Sequence, residues 1–180
     1  MKQTIIAVIC FLCVSSLYIQ AQKINHPSLL YTPQRIQQVK QRMQHEPKLQ
    51  EAWGDIKRTA DEALQKKDFN RLDYLSLAYL MTDNKEYADV IKEILLKTVE
   101  AESWGDVEMM ARIPAWRSQL GMAHKSFLSA VGYDAAYNVM SSSERKKIAE
   151  GLKRLAVEPA LGDWLLEPTR IHSLNSMGHN

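Results

Sequence analysis

Cysteine is nearly missing from this chain. The two that occur, Cys10 and Cys13, both lie in its first apolar segment. That segment has a basic Lys2, the apolar run "TIIAVICFLCVSSLYI", and "IQA" ahead of Gln22, with small Ala21 next to the expected cut. It is the pattern of a secretory signal peptide over residues 1–21, too short for a comfortable membrane span. The bulky Val8-Ile9 and Phe11-Leu12 before each cysteine argue against a lipoprotein site. The mature chain, 22–180, would then be exported, periplasmic or secreted, with no membrane span after signal removal. It would have no disulfide, no thiol nucleophile and no thiolate metal site, so its stability must come from apolar packing.

Other absences narrow the field further. No stretch alternates apolar and polar residues with period two, and no Asn-Gly or Asp-Gly turn occurs, which speaks against hairpins and sheets. Neither sign of charge dominates. Lys+Arg 23 against Asp+Glu 21 gives a net charge of +2, and the basic residues are interspersed with acids. No nucleic-acid partner is expected from such a balance, although a local cluster could still line a groove for an acidic substrate. There is no Gly-rich phosphate loop, no HExxH and no Ser-His-Asp order.

What remains is helix. Thr32 is placed as an N-cap before Pro33, and Ile36, Val39, Lys40 and Met43 follow at helical spacing. A second helix is predicted from Pro47 to Leu64 on Leu49, Trp53, Ile56, Ala60 and Leu64. A third covers roughly 70–82, with Leu72, Leu75, Tyr79 and Leu80. Asp83 and Glu86 are spaced as a capping box for a fourth helix, on which Tyr87, Val90, Ile91, Ile94, Leu95 and Thr98 recur. After a loop at "ESWGDVEMMARIP", Trp116, Leu120, Ala123, Phe127, Ala130, Val131 and Ala135 mark one side of the next helix. Ser141 and Glu144 form a second capping box. The helix they open points Ile148, Leu152, Leu155 and Ala156 inward, and Pro159 should end or kink it. The expected fold is all-α, built of antiparallel helical hairpins with short connections. Without a strict repeat it reads as an irregular bundle or an incomplete α/α toroid.

The residues richest in chemistry come last, in "TRIHSLNSMGHN". On a helix His172, Asn175 and His179 would share a face, and Asn180 follows. An amide and an imidazole can both donate to a substrate carboxylate. Such donors favour a transition state in which negative charge builds there as a proton leaves the adjacent carbon. That is the demand of β-elimination on a uronic acid.

Taken in order, "HPSLLYTPQRIQQVKQRM", the helical hairpins, "GYDAAYNVMSSSERKKIAEGL" and "NSMGHN" resemble the N-terminal part of heparinase II/III-like (alginate lyase-like) polysaccharide lyases. The resemblance spans about residues 23–180. It implies an α/α toroid followed by a β-sandwich, and an acidic polysaccharide or oligosaccharide as substrate. In these enzymes an Asn or His neutralises the uronate carboxylate and a Tyr, often with a His, is base and acid. Carried over, the catalytic candidates are Asn180 and His179, with Asn175 third. His172 is assigned to substrate binding. The Tyr base, the β-sandwich and any metal site would lie downstream of Asn180. The chain therefore reads as a truncated lyase domain, inactive alone, with no cofactor of its own.

Trp104, Trp116 and Arg117 flank the loop before the fifth predicted helix. They are candidates for substrate binding, with Trp stacking on a sugar and Arg pairing with an anion; core packing is the competing role of the tryptophans. His124 falls at the spacing of core positions, and "ERKK" at 144–147 reads as a solvated face. Two alternatives remain open. One is a glycoside hydrolase drawing two carboxylates from Asp106, Glu108, Asp163 and Glu167. The other is a non-catalytic helical carbohydrate-binding or scaffold module.

Overall fold

A computed structural model describes residues 24–113 and 115–166, and the expected signal segment 1–21 lies outside them. Thr32 caps the first helix as its side chain accepts from the Arg35 amide, and Pro33 opens α1, Pro33–Met43. Proline suits that first position because its missing N–H would have had no helical partner. Helix α2, Pro47–Lys66, ends with Lys67 in the left-handed region at φ 50°. A short 3₁₀ turn, Phe69–Arg71, then leads into α3, Leu72–Thr82, and α4 follows over Lys85–Thr98. After an irregular stretch holding the short α5, Val107–Met110, come α6, Leu120–Ala136, and α7, Ser142–Leu152. Among the described residues there is no strand. The protein is all-α, and none of its described helices is long and apolar enough to cross a membrane.

Helix α3 is the centre of the arrangement. It packs against α2, α4 and α6, and α4 also packs on α6. Its sequence, "LDYLSLAYLMT", is apolar on nearly every side, as befits a helix surrounded by others. Leu72, Leu75, Ser76, Ala78 and Met81 are all buried. Facing them are Ala60 and Ala63 of α2 and Ile91, Ile94 and Leu95 of α4. Trp53 and Leu64 pack at the edge of this core. The Tyr87 hydroxyl donates to Asp61, which also accepts from Lys57 Nζ at 2.8 Å, so α2 and α4 are tied at the surface as well.

Helix α6 is rotated relative to the expected stripe. Leu120 and Phe127 are exposed, at 80% and 53%, as are Ala123 and His124, which is not a core histidine. The buried face instead carries Met122, Leu128, Ser129, Val131, Gly132, Ala135 and Ala136. Apolar residues lie all round this helix, so their spacing does not select a side. Close approach does. A Cβ on Gly132 would sit 3.3 Å from Ile91 Cγ2 and 3.4 Å from Leu72 Cδ2, so the small residues mark the contact face.

The capping box of α7 is present in full, with the Ser141 hydroxyl accepting from the Glu144 amide and Glu144 from the Ser141 amide. The one expected at Asp83 is not. Asn84 caps α4, its side chain accepting from the Glu86 amide at 3.1 Å. Asp83 closes α3 at φ 56°, a left-handed position that Asp tolerates better than most residues. Two residues separate these helices, and each takes one end. Past α7 the chain does not stop at Pro159. Widened π turns, Lys153–Val157 and Gly162–Leu166, flank the four-residue α8, Glu158–Leu161, whose second position Pro159 occupies. Widening a turn is one way a helix accommodates a residue without an N–H.

Candidate functional site

The proposed carboxylate donors Asn180, His179 and Asn175, and His172 with them, lie outside the described residues. The loop candidates can be placed. Trp104 is buried and its indole N–H donates to Thr98 O at 3.3 Å. Trp116 is buried too, with its amide donating to Met109 O at 2.9 Å. Arg117 is held by Asp163. Its Nε donates to Oδ1 at 2.8 Å and its amide to Oδ2 at 2.9 Å. The Ser118 amide and hydroxyl also donate to Oδ2, at 2.8 and 2.9 Å. Asp163 is fully buried, and this knot fixes the segment before α6 to the π turn after α8. Trp104 and Arg117 do meet, in a small cavity of about 190 Å³ that Arg154 also lines. Arg154 is itself occupied by the carbonyls of Val99, Ala101 and Glu102. The cavity is walled by engaged groups.

A second buried carboxylate joins two of the three stretches that carry the family resemblance. Asp134, in "GYDAAYN", accepts from the amides of Ser28 and Leu29, both at 2.8 Å, and from His26 Nδ1 at 2.5 Å. Asn138 Nδ2 donates to His26 O at 2.8 Å. The His26 ring stacks on Tyr137 at 3.8 Å, and the Arg145 guanidinium sits 4.8 Å from the centre of the Tyr137 ring. Arg145 also donates to the carbonyls of Tyr137 and Met140, so one member of the "ERKK" cluster is structural rather than solvated. Burial works to raise the Asp134 pKa, but the bonds from Leu29, His26 and Ser28 outweigh it, and the carboxyl lies below its ordinary value. The arrangement straps residues 26–29 to α6.

The feature best suited to a ligand is a groove of about 580 Å³ beside Trp104. Phe69, Ile94, Ala101 and Trp104 form its apolar floor, and Lys66, Lys67, Lys97 and Lys125 surround it. Its one acid, Glu93, accepts from Lys67 at 2.7 Å. No carboxylate among the described residues is within ion-pairing distance of Lys66, Lys97 or Lys125, so three cations are in excess there. The lysines come from the end of α2, the end of α4 and the middle of α6. Sequence spacing shows no such cluster, because α2 and α6 supply residues some sixty positions apart. Among the described residues no group of three or more His, Cys, Asp or Glu could hold a metal ion.

Compared with known proteins, the chain matches no family model, and no curated protein or solved structure gives a significant match.

Proposed function

We propose that this chain is the helical part of an exported polysaccharide lyase that cleaves uronic-acid-containing polysaccharide by β-elimination on an α/α-toroid scaffold. The observation that carries the reading is the groove beside Trp104. In a chain whose charges nearly balance, three cations in excess gather round one apolar floor. Sugar rings present apolar faces, and acidic sugars add carboxylates or sulfates at their edges, so floor and rim are complementary to both.

In the reaction, Asn180 and His179, with Asn175 in support, donate to the uronate carboxylate. A Tyr, which the family resemblance makes base and acid in turn, takes the proton from the adjacent carbon, and charge delocalises onto that carboxylate. The glycosidic C–O bond at the β carbon then breaks and the Tyr returns a proton to the departing oxygen, leaving an unsaturated sugar and a free hydroxyl on the departing chain. Removing one well-aimed donor typically costs about 10²–10³ in rate. The test is to incubate the protein with alginate or chondroitin sulfate and follow ultraviolet absorbance of the unsaturated product. A steady rise, lost in Asn180→Ala, is expected. New reducing ends without absorbance would replace the lyase with a hydrolase, and no cleavage of any acidic polymer would end the reading.

A further inference from the structure

The lysine-rimmed groove has the means to grip an anion but not to move a proton. Among the described residues its lining contains no His and no Tyr, and their single carboxylate is already paired with Lys67. Lysine ammoniums are donors only, compact charges without the planar fork by which Arg fixes one carboxylate in one orientation. Three of the four also have an ordinary structural reason to be where they are. Lys66 and Lys67 end α2 and Lys97 lies in the last turn of α4, where positive charge complements the helix dipole. Lys125 has no such reason. It lies more than a turn inside α6, half-buried, and no carboxylate among the described residues pairs with it.

We propose that this groove is a holding subsite, binding carboxylate or sulfate groups of an acidic sugar chain at a point where no bond is broken. The proposal rests on the acidic-glycan reading given above and deepens it. The half-buried Phe69 and Ala101, backed by buried Ile94 and Trp104, take the apolar face of a sugar ring, while Lys97 and Lys125 grip the anionic groups at its edge. Because the grip is Coulombic and partly solvated, it tolerates different positions of the anionic group and weakens with salt.

Two variants pull in opposite directions. Lys97→Gln with Lys125→Gln removes two cations. Glu93→Gln removes the competing acid and frees Lys67. Both are surface changes, so thermal unfolding should be unmoved. Binding is measured by calorimetry on the full chain with alginate, chondroitin sulfate and neutral dextran, at low and at physiological salt. The double variant should bind both acidic polymers roughly 3- to 20-fold more weakly, as expected for two half-solvated charge pairs. Glu93→Gln should bind them more tightly, Lys146→Gln with Lys153→Gln should match wild type, and dextran should not bind.

If the wild type binds acidic polymers and neither groove variant changes that, the subsite is wrong, and the lyase reading loses the groove as support and rests on the unsaturated-product assay, which decides it separately. If the double variant binds normally yet forms no product in the complete enzyme, the groove is the seat of chemistry and the holding role is overturned. If no acidic polymer binds the wild type, both readings fall together.

Discussion

Replacing Asp134 with Ala removes the acceptor for every bond that straps residues 26–29 to α6. Four donors lose their partner, the amides of Ser28 and Leu29, the Ser28 hydroxyl and Nδ1 of His26. A hydrogen bond to a charged group contributes about 1.5–3 kcal/mol. The Ser28 and Leu29 side is exposed, so freed amides regain water and the loss stays below a simple sum. Stacking of His26 on Tyr137 is also left without its anchor. A total of roughly 3–5 kcal/mol follows, comparable with breaking a buried ion pair. At about 2–4 °C per kcal/mol for a chain of this size, melting should fall by roughly 6–20 °C. Calorimetry measures the shift, and hydrogen exchange locates it, since the Ser28 and Leu29 amides should lose protection before α3 does. Asp134→Asn keeps the shape and one acceptor oxygen, so it should fall between Ala and wild type. Melting of Asp134→Ala within about 2 °C of wild type, or unchanged amide protection, would refute the strap as a source of stability.

The same carboxylate sets an acid limit. Its pKa is depressed in the folded state, so its contribution is present above the ordinary carboxylate value and is lost as pH falls through the folded one. Chemical unfolding below pH 4 should accordingly be less steep in pH for Asp134→Asn than for wild type. At the alkaline end, burial, then Asp73 and Tyr74, pushes Tyr31 up to about 12. A raised phenol holds its proton after the unfolded chain has lost it, so stability is full below pH 10 and falls between about 10 and 12; Tyr31→Phe should flatten that fall in denaturant titrations. Gly151 packs where a Cβ would lie 2.4 Å from Val99 Cβ, so Gly151→Ala must push α7 off the end of α4. It should cost about 1–3 kcal/mol despite alanine's better helix propensity, and a gain in melting temperature would contradict the packing.

How much of this was legible depends on how far apart the interacting residues lie. The Thr32–Pro33 start of α1 and the Ser141–Glu144 box of α7 close within three residues, and both were readable directly. At "TDNK" the same logic placed the cap one residue early, because two helices meet there and Asp83 is needed to end the first. On α4 the apolar stripe stands against a polar face, and Tyr87, Ile91, Ile94 and Leu95 are the buried positions it predicted. On α6 polar contrast is missing, and Gly132 decides the phase by letting α3 and α4 come close. The Asp134 strap spans 106 positions to Ser28 and the Asp163 knot 46 to Arg117, distances at which no local pattern exists. Two of the three stretches that carry the resemblance, "HPSLL" and "GYDAAYN", are in contact through Asp134, which supplies a physical reason for them to occur together. The lysine groove, gathered from three helices, left no trace in spacing.

Asp134 and Asp163 solve one problem twice, and the solution bears on the hydrolase alternative. Each takes two successive backbone amides of an irregular segment, Ser28 and Leu29 in one case and Arg117 and Ser118 in the other. Backbone amides of an irregular segment have no helix or strand partner, and here a buried carboxylate from a distant helical segment accepts from them. A carboxylate so used cannot also protonate a glycosidic oxygen or activate water, because either task needs an oxygen free to face substrate. Asp163 therefore leaves the set of hydrolase candidates. Among the described residues that set is reduced to Asp106 and Glu108, and Asp106 spends one oxygen capping the Glu108 amide at 2.9 Å. Both side chains start from one short helical turn, whereas a hydrolase places its two carboxyls on either side of the scissile bond, about 5–10 Å apart. Asp106→Asn with Glu108→Gln should accordingly leave any polysaccharide cleavage by the protein unchanged, and loss of cleavage in that double variant would restore the hydrolase alternative.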